Sequence, residues 1–161
     1  MRTSPSPTAR SPWDSTTIVV VETHDGGRTG LGYTYADVSA AALVESLLAD
    51  EVRGADALAP AAAWLRLAGR IRNAGRPGLG FMALSAVDVA LWDLKARLLE
   101  LPLAAVLNAY RDELPVYGIG GFTSYPLDRL AEQLAGWVEA GIPRVKMKVS
   151  REPERSARRS S

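Results

Sequence analysis

The chain has no cysteine, a single histidine and a net charge of only +1 over 161 residues. Without cysteine there can be neither a disulfide nor a thiolate metal site. A charge so close to zero gives no bulk attraction to nucleic acid or to an anionic membrane. Residues 1–12 lack the apolar stretch of a secretory signal; they hold three prolines and three serines instead, and a disordered leader is expected there. Long apolar runs are scarce too. Asp88, Asp93 and Lys95 interrupt the most hydrophobic segment, so no membrane span is expected and a cytoplasmic location is. What is present is a 47% hydrophobic composition, enough for one ordinary domain with a real core.

The β-branched run Thr17–Glu22 predicts a strand, and His24-Asp25-Gly26-Gly27 supplies turn chemistry, with His24 solvated. Residues 29–34 predict a second strand, weakened by Gly30 and Gly32, and the two form a hairpin. Helices follow over 38–52, with Asp37 or Ser39 at its start, over 60–74, and over 81–99. In the last of these Leu84, Val87, Leu91, Leu94 and Leu98 share one face. Pro102 opens a short helix ending near Asn108. Then come a strand (114–120), an amphipathic helix (127–140) and a strand (144–149), a βαβ unit with parallel strands. Beyond Val149 apolar periodicity ceases, and 151–161 reads as a disordered tail. Arg151, Arg155, Arg158 and Arg159 are diluted by Glu152 and Glu154, so no nucleic-acid partner is expected. Two parallel strands and one helix leave unpaired edges, and the architecture reads as cut short.

Residues 83–97, ALSAVDVALWDLKAR, are similar to the helix signature of the mandelate racemase and muconate lactonizing enzyme family of the enolase superfamily, and Pro102-Leu103 continue it. Val106 stands where the family usually has Leu, and Asn108 where it usually has Gly; Asn also tolerates the left-handed conformation of a helix end. Val145-Lys146-Met147-Lys148-Val149 resembles the family's Lys-x-Lys strand, one βαβ step later. The resemblance implies an α+β capping domain (13–112) leading into a (β/α)7β TIM-type barrel, of which 113–150 is the first strand-helix-strand. It implies a Mg2+-dependent racemase or acid-sugar dehydratase, an isomerase or lyase that removes the α-proton of a carboxylate substrate. Whether the outcome is racemisation, dehydration or cycloisomerisation stays open.

In the family, the three carboxylates that hold Mg2+ lie on later barrel strands, so no metal ligand is expected in this chain. The same resemblance makes Lys148 the base and Lys146 the cation facing the substrate carboxylate. A lysine base must lose its own proton, and a neighbouring cation favours that loss. Strand alternation puts Lys146 and Lys148 on one face with Met147 on the other. Read without the family, both lysines are solvated charges guarding an edge strand. Tyr33, Thr34 and Tyr35 match in position the cap loop over the active site, which makes Tyr33 and Tyr35 candidate substrate contacts; they also read as cross-strand packing. Trp13 and Asp14 could belong to another cap loop. Asp88 and Asp93 could suggest a metal, but Asp93 and Arg97 are i,i+4 partners and a structural role is expected. Gly118, Gly120 and Gly121 lack the Lys-Ser/Thr ending of a phosphate loop and read as flexible. The competing reading is a catalytically inactive fragment. The chain is expected to work as a homo-oligomer or to self-associate, with a small carboxylate or acid-sugar substrate.

Overall fold

The computed structural model describes residues 15–148. The leader with Trp13 and Asp14, and the tail with Val149, lie outside the described residues. The chain divides into two compact units, one up to Ala109 and one from Tyr110; the sequence placed the domain junction at 112–113.

The first unit opens with a hairpin of β1 (Ile18–Asp25) and β2 (Arg28–Tyr35), antiparallel from Ile18↔Tyr35 to Asp25↔Arg28. Gly26 and Gly27 turn it, both at positive φ (51° and 71°), the conformation that two-residue hairpins favour. The helical block that follows runs α1 (Ser39–Leu43), a π-helical turn (Val44–Leu48) and α2 (Ala49–Val52). Val38, the residue before α1, makes no capping bond. Instead Asp37 accepts a hydrogen bond from the Ser39 amide at 2.9 Å and another from its hydroxyl. The hydroxyl first, and the amide second, hold the Asp37 carboxyl below its ordinary range. α3 (Pro60–Arg70) has its proline in the first turn, where the missing N–H costs nothing. A 3₁₀ turn (Ile71–Asn73) and Gly75 at φ 82° end that stretch.

α4 (Phe81–Leu98) is the spine of this unit. The expected leucine face is real: Leu84, Val87, Leu91 and Leu94 are buried, and Leu98 at the helix end is half-buried. The alanines were not anticipated, and they make the seam with the hairpin. A Cβ at Gly32 would stand 2.0 Å from the Ala86 carbonyl oxygen, and one at Gly30 would stand 2.2 Å from that of Ala90. The glycines that weaken β2 as a strand therefore let its backbone lie against the helix. Thr23 donates to the Ala90 carbonyl at 3.1 Å, and the Leu31 amide donates to Asp93 at 2.9 Å, as does Arg97 at 2.8 Å. Asp93 is thus a structural acceptor, as expected. One expectation needs correction: the stretch Arg76–Leu98 is long and apolar enough to cross a membrane by length and composition. The charges do not prevent that; its apolarity is explained by the core, where Ala83, Leu84, Val87 and Leu91 join Val19, Leu48, Leu67 and Ile71. α5 (Leu103–Val106) follows, and Asn108 takes φ 58°, the left-handed conformation expected of it.

The second unit contains β3 (Gly118–Gly120), α6 (Leu127–Glu139) and β4 (Val145–Met147). The strands are parallel, with Gly118↔Val145, Ile119↔Lys146 and Gly120↔Met147. Both are shorter than expected. A strand needs a ladder, and among the described residues each has one partner only, so Leu114 and Val116 remain exposed outside it.

Candidate active-site strand

The helix face that meets the sheet fixes where the lysines go. A Cβ on Gly118 would lie 2.4 Å from the Trp137 ring, and one on Gly120 would lie 2.3 Å from Gln133 Oε1. Gln133 Oε1 also accepts the Gly121 amide at 2.8 Å, and Leu130 is buried beside it. These three glycines are close-packing positions, which corrects their reading as flexible. Since Gly118 and Gly120 face α6, Ile119 between them faces the other way, and so does Lys146 in register with it. Lys148 is two residues further, on the same face, just past β4; its amide still donates to the Gly121 carbonyl at 3.0 Å. Met147, half-buried, lies on the α6 side, against Gly121.

The two ammonium groups are exposed, each beside an aromatic ring: Lys146 Nζ is 6.0 Å from the Tyr117 ring centre and Lys148 Nζ 4.8 Å from that of Phe122. Such rings hold a cation without neutralising it. No ion pair engages either lysine among the described residues. The face thus presents two adjacent cations, Ile119 and two aromatic rings. It can attract a carboxylate and place an amine beside it.

Tyr33 and Tyr35 lie on β2, Tyr33 within the strand expected over 29–34 and Tyr35 one residue beyond it. They pair with Val20 and Ile18, stand exposed on the face of β2 opposite the helix-facing glycines, and touch edge to face at 6.2 Å. The structure brings these two together in the first unit, and the two lysines together in the second. His24 Nδ1 lies 2.9 Å from the Thr29 hydroxyl, and its Nε2 lies 3.8 Å from Glu22, at the exposed turn. A groove of about 460 Å³ that the sequence did not reveal runs between Glu22–Asp25 and the loop 53–57, floored by Ala63, Leu91 and Leu94. Asp88 is half-buried; desolvation pushes its carboxyl above the ordinary range, offset by a hydrogen bond with Trp92, whose ring Lys95 Nζ approaches at 5.1 Å.

Magnesium is normally held by carboxylates together with waters and substrate oxygens. Among the described residues no three His, Asp or Glu side chains gather into a cation site. In the second unit Asp128, Glu132 and Glu139 are spaced along α6. The described residues do not fit the ion.

The hairpin, the helical block and the signature helix define an enolase-type capping module. Residues 1–108 match the N-terminal domain of mandelate racemase / muconate lactonizing enzyme, and the chain belongs to that family. A mandelate racemase/muconate lactonizing enzyme-like protein from Rubrobacter xylanophilus is 67% identical, with a TM-score of 0.86 over 91% of this chain and 41% of its own. The 3,6-anhydro-alpha-L-galactonate cycloisomerase of Streptomyces coelicolor is 37% identical over 83% of this chain and 38% of its own length. L-talarate/galactarate dehydratase from Salmonella typhimurium LT2, solved with Mg and L-lyxarohydroxamate, superposes with a TM-score of 0.74 at 28% identity, over 90% of this chain and 39% of its own. The chain therefore spans about two fifths of the length of these relatives. The relatives include acid-sugar dehydratases and cycloisomerases, and solved members hold magnesium.

Proposed function

We propose that this chain supplies the lysine strand of an enzyme that removes the proton α to the carboxylate of an acid sugar, as a dehydratase, cycloisomerase or racemase. One observation carries the reading: Lys146 on β4 and Lys148 just past it share one exposed face, opposite α6 and free of ion pairs among the described residues. Lys146 attracts the substrate carboxylate. Lys148, as the free amine, takes the proton from Cα; the C–H electron pair moves into the carboxylate, which becomes an enediolate. The developing charge lies against the Lys146 ammonium, which is the electrostatic assistance such a step requires. Tyr33 and Tyr35 are proposed substrate contacts, supported only by their exposure and by their position in the capping module. A magnesium requirement, proposed from the relatives, would be met by residues other than those described. The exposed Ile18, Val20, Leu31, Tyr33 and Tyr35 favour association with another copy, and a cytoplasmic setting is proposed with it.

A second reading, that the chain by itself is catalytically inert, is favoured because no three carboxylate or histidine side chains cluster among the described residues. Both are tested by joining the chain through residue 148 to the remaining barrel of the Rubrobacter relative. With Mg2+ in deuterated solvent, the joined protein should remove the α-proton of an acid sugar, read by NMR as loss of its signal through exchange or through dehydration, while the chain alone should not. Lys148→Ala should slow exchange on the face it serves by ~10²–10⁴-fold, the usual contribution of a general base. Exchange that is unchanged in a folded Lys148→Ala protein would assign the strand a structural role only.

A further inference from the structure

Resting on the lysine-base reading, the register of the short parallel ladder carries a statement about substrate. Ile119 is directly opposite Lys146, and paired parallel strands lie roughly 4.8 Å apart, so the two side chains rise from the sheet side by side. Ile119 is 61% exposed on that face, and the glycines on either side of it are occupied by α6. It is level with Lys146 and one alternation step from Lys148. A carboxylate that reaches Lys146 therefore brings its neighbouring carbon atoms against the Ile119 side chain. That side chain offers no hydrogen bond. A hydroxyl pressed against it loses its water and gains no partner, whereas a C–H or an alkyl group gains contact.

We infer that Ile119 is a specificity-determining residue. It selects a carboxylate substrate whose chain presents carbon rather than hydroxyl toward β3, a deoxy acid sugar or an alkyl-substituted 2-hydroxy acid, over a fully hydroxylated one. An apolar wall discriminates against an added hydroxyl by up to about 100-fold.

The test uses the joined protein in deuterated solvent and follows loss of the substrate's α-proton NMR signal. That loss counts proton removal whether Cα then takes a deuteron or the neighbouring hydroxyl leaves, and both count as exchange. The probes are 2-hydroxyhexanoate and the hexonates of the same configuration at C2. With Ile119 in place, exchange per unit substrate, kcat/KM, should favour 2-hydroxyhexanoate. Ile119→Ser and Ile119→Thr should each move the ratio toward the hexonates by ~10–100-fold, Thr keeping the β-branched shape that the strand prefers. A ratio that stays put in both variants, with exchange intact, overturns the role of Ile119 and leaves the lysine reading standing. No exchange of any acid by the unaltered joined protein, or exchange that survives Lys148→Ala, overturns the lysine reading instead.

Discussion

The two units solve the same problem, strand against helix, with opposite resources. In the first, eight-residue strands lie on an eighteen-residue helix, and Val19, Leu48, Leu67, Ile71 and Leu84 close a core beneath them. In the second, two three-residue strands lie on α6, and Leu130 is its one buried core hydrophobic among the described residues. The larger core lies in the first unit, and the lysines proposed to act stand on the sparser scaffold. Sites are commonly drawn from the less stable parts of a fold, because reactive groups must stay exposed.

That contrast can be broken from either side. Leu130→Ala should cost the second unit about 2–5 kcal/mol, as for other buried leucines. Hydrogen exchange at the Gly118 amide, which donates to the Arg144 carbonyl, should then quicken while β1 and β2 amides keep their protection. Equal loss in both units would mean that they unfold together. Gly32→Ala should cost the first unit about 1–3 kcal/mol, because the new methyl meets a backbone carbonyl that cannot step aside. Gly69→Ala, in α3 with open space around the added carbon, should do the reverse and stabilise by about 0.5–1 kcal/mol. Thermal unfolding followed by circular dichroism reads both, and like-signed shifts would show that the close seam is unimportant.

The smallest effect belongs to Asp88. Burial raises its carboxyl in the folded state, so the charged form is penalised there. Below the unfolded value both states are protonated and no penalty exists. As pH rises from the unfolded value to the folded value the penalty grows, and above the folded value it stays constant. Asp88→Asn should therefore be slightly stabilising at neutral pH, and the gain should vanish in acid below the usual Asp range. A gain independent of pH would assign it to packing instead.

Much of this was legible in the sequence, for physical reasons that differ by residue. The β-branched run, Gly26-Gly27 and the leucine spacing of α4 are local signals, and each element appeared where local chemistry put it. Asn108 at φ 58° answered to its own side chain. Gly30, Gly32, Gly118 and Gly120 misled, since a glycine in a strand reads as weakness until its long-range neighbour is known. The neighbours, Ala86, Ala90, Gln133 and Trp137, are 13 or more residues away along the chain. Strand length in the second unit was over-read for a related reason: Val116 and Tyr117 have strand-forming side chains, but Pro115 has no N–H to give, and a strand exists only where a partner accepts its hydrogen bonds. The lysine pair was visible through alternation and resemblance. Ile119 was not, because its significance comes from register, which no single segment encodes.

Gly121 has a consequence for how the proposed base is aimed. It takes φ 63°, and its carbonyl accepts the Lys148 amide at 3.0 Å, which ties Lys148 to the end of β3. A methyl group there would meet Met147 Cβ at 2.7 Å and Leu130 at 2.8 Å. Relief would come by sliding β4 away and carrying Lys148 with it. Where reacting atoms must meet within a few tenths of an ångström, a shift of about 1 Å is worth roughly a hundredfold in rate. The aim of the amine is thus governed from across the ladder, by a residue that has no side chain to touch a substrate.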